Sequence, residues 1–358
     1  MSTLVQRVVN SLSRAEAEIN LLARCQPVNW VELQATVIGN WRDGNRREPN
    51  FEFALAPDLS QLRRALEALE TFVAGRGAWG EIWSARAREL ILEAEIAENV
   101  GTEGVLRLAH ERFKGATVSE GPKFRRLARC WASTPVEVSS ETPIASDDQT
   151  NQESLLMLMT RAIERARVRF AVRQSEKLAA RAAVDETTIW IKPKIQLRPA
   201  EARRIVVHEV DGHAIRRHNG RSRESFPFRC GVAGADADEE GRALWLEEQA
   251  GLLGASRRIE LGWRYLAADA CRRGASFVET VELLVEIETP LEQALPLALR
   301  VWRGGGIARE IMYLPSYWRA KRALDNAPHI ESWMKRGRLS LEVAKRLATG
   351  ELGLSSGE

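Results

Sequence analysis

The stretch His208-Glu209-Val210-Asp211-Gly212-His213 sets a geometric condition that few backbones meet. Two histidines with a glutamate directly after the first form a zinc-hydrolase signature. The imidazoles hold a divalent ion, and the carboxylate beside them takes a proton from water. In the usual signature the histidines stand four residues apart; here they stand five apart. A five-residue step along an α-helix turns through roughly 500°, so the two rings would point about 140° apart and one ion could not reach both. The spacing therefore predicts a local widening into a π-type turn, with Gly212 placed to permit it. The plain alternative is a helix whose two histidines are packed or solvated. Against it stands composition: the chain has 5 histidines, and His208, His213 and His218 all fall between positions 208 and 218.

The rest of the chain bounds the partners. Its 358 residues are 44% hydrophobic, enough for a substantial core in one large domain or two ordinary ones. With 52 basic and 49 acidic residues the net charge is only +3, which gives no reason to expect a nucleic-acid partner. Cys25, Cys130, Cys230 and Cys271 form no CxxC pair and read as reduced thiols of a cytoplasmic protein. The N-terminus mixes Arg7, Arg14, Glu16 and Glu18 with apolar residues and is no signal peptide. No apolar run reaches the roughly 20 residues that span a bilayer, so no membrane partner is expected. The oligomeric state is left open.

Along the chain, residues 1–24 carry Leu4, Val8, Leu12, Ile19 and Leu22 at helical spacing. Residues 29–50 read as irregular, with Gly39, Gly44 and Pro49 as breakers, and Phe51 to Leu55 alternates like a short strand. Asp58 or Ser60 then caps a helix bearing Leu62, Leu66 and Leu69, and 79–115 reads as two amphipathic helices broken near Gly101. Residues 133–153 are rich in Ser, Thr, Pro and acids and read as a connection. The expected division is thus 1–132 as an N-terminal, mainly helical region, 133–153 as a polar loop, and 154–358 as the catalytic domain. Within the last, 154–183 reads as one long helix with an arginine-rich solvated face. Thr187 to Leu197 reads as a strand that Pro193 confines to an edge or a bulge, with Lys192 and Lys194 on it. Pro199 and Glu201 open the helix carrying the histidines, and Asn219-Gly220 ends it.

A catalytic zinc site takes three protein ligands and keeps one position open. Downstream candidates for the third are Asp236, Asp238, Glu239, Glu240, Glu247 and Glu248, and periodicity does not choose among them.

At these residues the chain resembles the QEGLA-motif, flavohaemoglobin expression-modulating, metallopeptidase-like family, which includes the microtubule-associated tyrosine carboxypeptidases. His208-Glu209 to His213, then Arg217 and Asn219-Gly220, is similar to that family's HExxxH…R-x-NG block. Gly231 to Gly234 through Asp238-Glu239-Glu240-Gly241-Arg242-Ala243 is similar to its GLPG…TQEGLA block. Arg300 to Gly306 with Tyr313-Leu314 is similar to its RVxRGG…VYL block. The specific blocks span about 185–320. The resemblance implies a Zn²⁺ cofactor held by His208, His213 and Glu240, with Glu209 as general base. The sequence reads EEGRA where the family has QEGLA: Glu239 replaces Gln and Arg242 replaces Leu. These departures and Asp211 bear on substrate preference rather than on the ligands.

Arg300 and Arg303 precede three glycines. They fit a helix end capped by glycine, and equally a guanidinium clamp on the C-terminal carboxylate of a peptide or protein. Tyr313 is either an oxyanion donor or core. The expected whole is an α+β, mostly helical protein with a zincin-like core, a small sheet and an N-terminal helical region. Its expected reaction is zinc-dependent removal of a C-terminal residue. The rivals are a metal-dependent amide hydrolase acting on a modified peptide or small amide, and a non-catalytic zinc-binding regulatory protein.

Overall fold

The computed structural model describes residues 3–115, 119–135, 140–221 and 228–353. In chain order the helices are α1 (Thr3–Ile19), α2 (Trp30–Arg42), α3 (Ser60–Val73), α4 (Gly77–Glu98), α5 (Gly104–Arg112), α6 (Gly121–Ala132), α7 (Leu155–Ala166), α8 (Pro199–Val206), α9 (Ile215–Gly220), α10 (Ala235–Gln249), α11 (Ala255–Arg272), α12 (Phe277–Glu286), α13 (Leu291–Val301), α14 (Tyr313–Asn326), α15 (His329–Met334) and α16 (Leu341–Ala348). Strands are short: β1 (Ile144–Ala145), β2 (Ala171–Gln174), β3 (Ala182–Val184), β4 (Thr188–Ile191) and β5 (Gln196–Leu197). The protein is mostly helical with two small sheets. No described helix is long and apolar enough to cross a membrane.

The chain forms two compact units, both discontinuous: one holds 1–13, 136–254 and 316–358, the other 14–135 and 255–315. In the first, β4 is the centre of a three-stranded sheet of order β2-β4-β3, parallel to β2 and antiparallel to β3. Ile189 and Ile191 of β4 are fully buried and pack with Leu155, Met159 and Ile163 of α7 and with Ala202, Ile205 and Val206 of α8. This apolar floor fixes the helix that carries the histidines. A second core joins Ala320 and Leu324 of α14 to Ile330, Met334, Leu341 and Ala344. In the second unit α11 and α6 approach closely enough that a Cβ on Gly262 would lie 2.5 Å from the Ala128 carbonyl oxygen.

Several local expectations change. Residues 30–42 are helical, with Trp30, Leu33, Val37 and Trp41 buried on one face, so Gly39 does not break the segment. Residues 51–55 form no strand. The helix expected over 154–183 stops at Ala166, where Arg167 takes a left-handed φ of 54° and Val168 N–H turns back to Ile163 O; β2 and β3 follow. β4 is a central strand rather than an edge, because Pro193 lies beyond its end and interrupts no ladder. Lys194 sits in that connection with a φ of 60°. Ser60 begins α3 rather than capping it; the Asp58 carboxylate accepts from the Ser60 N–H. Gly220 ends α9 without a left-handed turn, and the Asn219 side chain donates to Lys335 O.

Candidate metal centre

Ser154 Oγ caps α7, whose core face carries the sheet, and the Arg198 N–H donates to the Glu201 carboxylate at the start of α8. From there the chain runs as an α-helix to Val206 and widens into a π-helix over Val207–Ala214. The widening is the one the five-residue spacing requires. It leaves the two imidazoles 5.0 Å apart between ring centres. Gly212 serves the turn in a further way: a Cβ there would lie 2.7 Å from the Cβ of Ala243, so α10 packs against bare backbone.

That contact and one other orient α10. A Cβ on Gly241 would lie 2.2 Å from Ser316 O, so α10 also abuts the chain at α14. The roll so fixed points Glu240 at the histidines. Its Oε2 is 3.4 Å from His208 Nε2 and 3.9 Å from His213 Nε2. One ligand atom from each of His208, His213 and Glu240 lies within 4.8 Å of the others. Atoms that share a tetrahedral zinc ion at about 2.1 Å stand roughly 3.4 Å apart, so the trio is close to the span such an ion requires.

The outer faces of the rings test whether these residues suit a metal. His208 Nδ1 is 2.7 Å from Glu247, and His213 Nδ1 is 2.8 Å from Glu239. A carboxylate on each Nδ1 holds the tautomer that turns the Nε2 lone pair inward, the arrangement that supports metal-ligating histidine. The donor set of two imidazoles and a carboxylate suits zinc. Burial opposes a charged His208, but hydrogen bonds with Glu240 and Glu247 carry its pKa up to about 9. Glu239 is buried, which alone would raise its pKa; Arg216 and His213 bring it down to about 2, so it stays ionised. Arg216, fully buried, donates to the carbonyls of Met334, Gly337 and Leu339 and stands 3.7 Å from Glu239.

Glu209 follows His208 on the widened turn and is 9% exposed. Its carboxylate makes no hydrogen bond to another described side chain, and its charge acts on His208. Among the remaining acids named from sequence, Asp238 receives Arg319 and the Leu341 N–H, Asp236 receives Arg338, and Glu248 receives Tyr317 and Lys321. Cys230 is buried with its thiol directed at Gly231 O and is not in the trio.

Arg300, Arg303 and Tyr313 belong to the second unit and come together there. Arg300 Nε donates to Glu310 at 2.7 Å, and Arg303 Nη2 stands 3.8 Å from the same carboxylate. Tyr313 Oη accepts from Arg309 at 2.8 Å and lies 3.4 Å from Arg300 Nη2. Gly304, Gly305 and Gly306 all have positive φ, and a Cβ on Gly304 would meet Cys25 Sγ at 2.9 Å. The glycine run is therefore required by backbone conformation and close packing. Sequence reasoning missed Glu310, whose full burial between two arginines nothing in its local sequence signals, and it did not foresee Glu239 and Glu247 as partners of the histidines.

A family model described as microtubule-associated tyrosine carboxypeptidase matches residues 41–351. No curated protein matches the chain.

Proposed function

The chain belongs to the microtubule-associated tyrosine carboxypeptidase family, and we propose that it is a zinc-dependent carboxypeptidase with a zincin-like core, its metal held by His208, His213 and Glu240. The observation that carries this reading is the trio itself: three ligand atoms within 4.8 Å and both histidines braced by carboxylates at Nδ1, with Glu209, which bonds no other described side chain, directly after His208. A zinc ion bound there supplies Lewis acidity to the scissile carbonyl and makes water a usable nucleophile near neutral pH.

The chain's own residues do the remainder. Glu209 takes the proton of the attacking water and returns it to the leaving amine, a transfer that needs a carboxylate not already engaged. Glu247 and Glu239 hold the imidazoles in register. Arg300 and Arg303 are the proposed partners of the substrate's terminal carboxylate. They share Glu310, and Glu260 also acts on Arg300, while Arg264 and Arg309 stand beside the same cluster, so arginines outnumber acids there and an anion is favoured. Tyr313 is the proposed hydrogen-bond donor to the developing oxyanion.

Matched peptides with free and amidated C-termini test the reading. A charge-assisted contact is worth about 1.5–3 kcal/mol, so kcat/KM for the free acid should exceed that for the amide at least tenfold, with single residues leaving the C-terminus. Equal cleavage of both at an internal bond would contradict it.

A further inference from the structure

Arg242 has no use in the reaction just described, yet it is fully buried and bonded to the backbone of the widened turn. Its Nη1 donates to Asp211 O at 2.9 Å and to Gly212 O at 3.1 Å; its Nη2 pairs with Glu331 of α15 at 2.6 Å. The Arg242 side chain is wholly excluded from solvent; Glu331 is partly buried and its other oxygen stands 3.4 Å from Lys335.

The position of those two carbonyls is informative. In an α-helix the N–H of residue 215 would be given to the carbonyl of residue 211. Here the Ile215 N–H is given to Val210 O, five residues back. The widening thus takes from Asp211 O the donor a regular helix would give it, inside a buried segment where an unmatched carbonyl is costly. Arg242 supplies a charged donor at that point. Its planar fork serves two carbonyls from Nη1 and a carboxylate from Nη2; leucine has no donor, and an ammonium carries its three donors on one nitrogen and lacks that spread. Arg242 also stands beside Ala243, the residue against which Gly212 packs, so the donor and the steric contact act on the same turn.

We infer that Arg242, anchored by Glu331, is a positioning residue: its guanidinium holds the π-turn open and so sets the separation of His208 and His213. The inference rests on the metal-site reading for its consequence and on the hydrogen bonds alone for its mechanism. The EEGRA departure from the QEGLA pattern then has a physical role, because the arginine supplies a clamp that leucine lacks.

Arg242→Lys is the test, since it keeps a positive charge for Glu331 but cannot form the three-way fork. Two readouts are taken beside the parent. The first is zinc affinity by chelator competition, with the visible spectrum of the Co²⁺-loaded protein. The second is amide hydrogen exchange over residues 207–216 in metal-free protein. Loss of a supporting contact around a metal site typically weakens metal binding by about 10- to 100-fold; a loss of that order, transmitted through the ligand spacing, is expected, with a changed Co²⁺ spectrum and exchange at least about tenfold faster across the turn. Zinc affinity within twofold of the parent, or weakened affinity with unchanged exchange, would overturn the inference. If Arg242→Lys does not fold, Glu331→Ala, which leaves Arg242 but removes its anchor, should show the same two changes at about threefold or more; parent-like values in that variant would also overturn it. The exchange readout needs no metal. Failure of the metal site itself would show instead as a parent protein that binds no zinc.

Discussion

His208 Nδ1 lies 2.7 Å from the carboxylate of Glu247, a residue with no solvent exposure whose same oxygen also stands 3.4 Å from Arg204. Glu247 therefore acts on the ring from behind, while Glu240, two turns earlier on the same face of α10, meets Nε2. Replacing Glu247 by Gln keeps an acceptor but removes its charge. Zinc affinity measured by competition should fall by about tenfold without loss of stoichiometry. Complete loss of zinc in Glu247→Gln, with full retention in Glu240→Ala, would reverse the two roles.

Glu209→Gln preserves shape and removes the proton acceptor. Zinc content and melting temperature should match the parent, while kcat falls by a factor on the order of 10² to 10⁴. A variant as fast as the parent would remove Glu209 from the mechanism.

Gly212→Ala introduces a Cβ that would lie 2.7 Å from Ala243 Cβ, against a helix itself held at Gly241 by Ser316. The overlap should destabilise the protein by about 1–3 kcal/mol in denaturant unfolding. Pairing it with Ala243→Gly should recover much of that loss. A single variant as stable as the parent would mean that α10 shifts freely.

Burial raises the Cys25 and Cys271 thiols to about 12, and Cys230 is buried, whereas Cys130 is exposed. At pH 8 a thiol reagent should therefore label one cysteine rapidly in the native protein and the other three only on unfolding. Rapid labelling of Cys25 or Cys271 would contradict the packing around the glycine run.

The widened turn was legible because a helix has a fixed angular step, so a five-residue spacing admits one metal only if the backbone widens. The roles of Glu239, Glu240 and Glu247 were not, because six acids on or beside one helix differ only in the direction they face. That direction is set by the approach of Gly241 to Ser316 and of Ala243 to Gly212, contacts remote in sequence. The alternation over 51–55 was real but misled. Phe51 and Phe53 stack on each other at 6.2 Å, Phe53 also covers Gly101, and no strand among the described residues pairs with them. The arginine-rich run after Ala166 masked a chain reversal, since Arg167 adopts a left-handed turn that glycine or asparagine would have announced. Nor does the sequence signal that 255–315 packs with the N-terminal helices; Gly262 against Ala128 shows it only once folded.

The most direct measurement is metal content per chain, by mass spectrometry of protein dialysed against metal-free buffer and reloaded with limiting zinc. The parent should hold close to one zinc, and His208→Ala, His213→Ala and Glu240→Ala should each hold almost none. Glu248→Ala should match the parent, because Glu248 pairs with Tyr317 and Lys321. Full occupancy in Glu240→Ala together with loss in Glu248→Ala, or a parent that binds no zinc, would contradict the account.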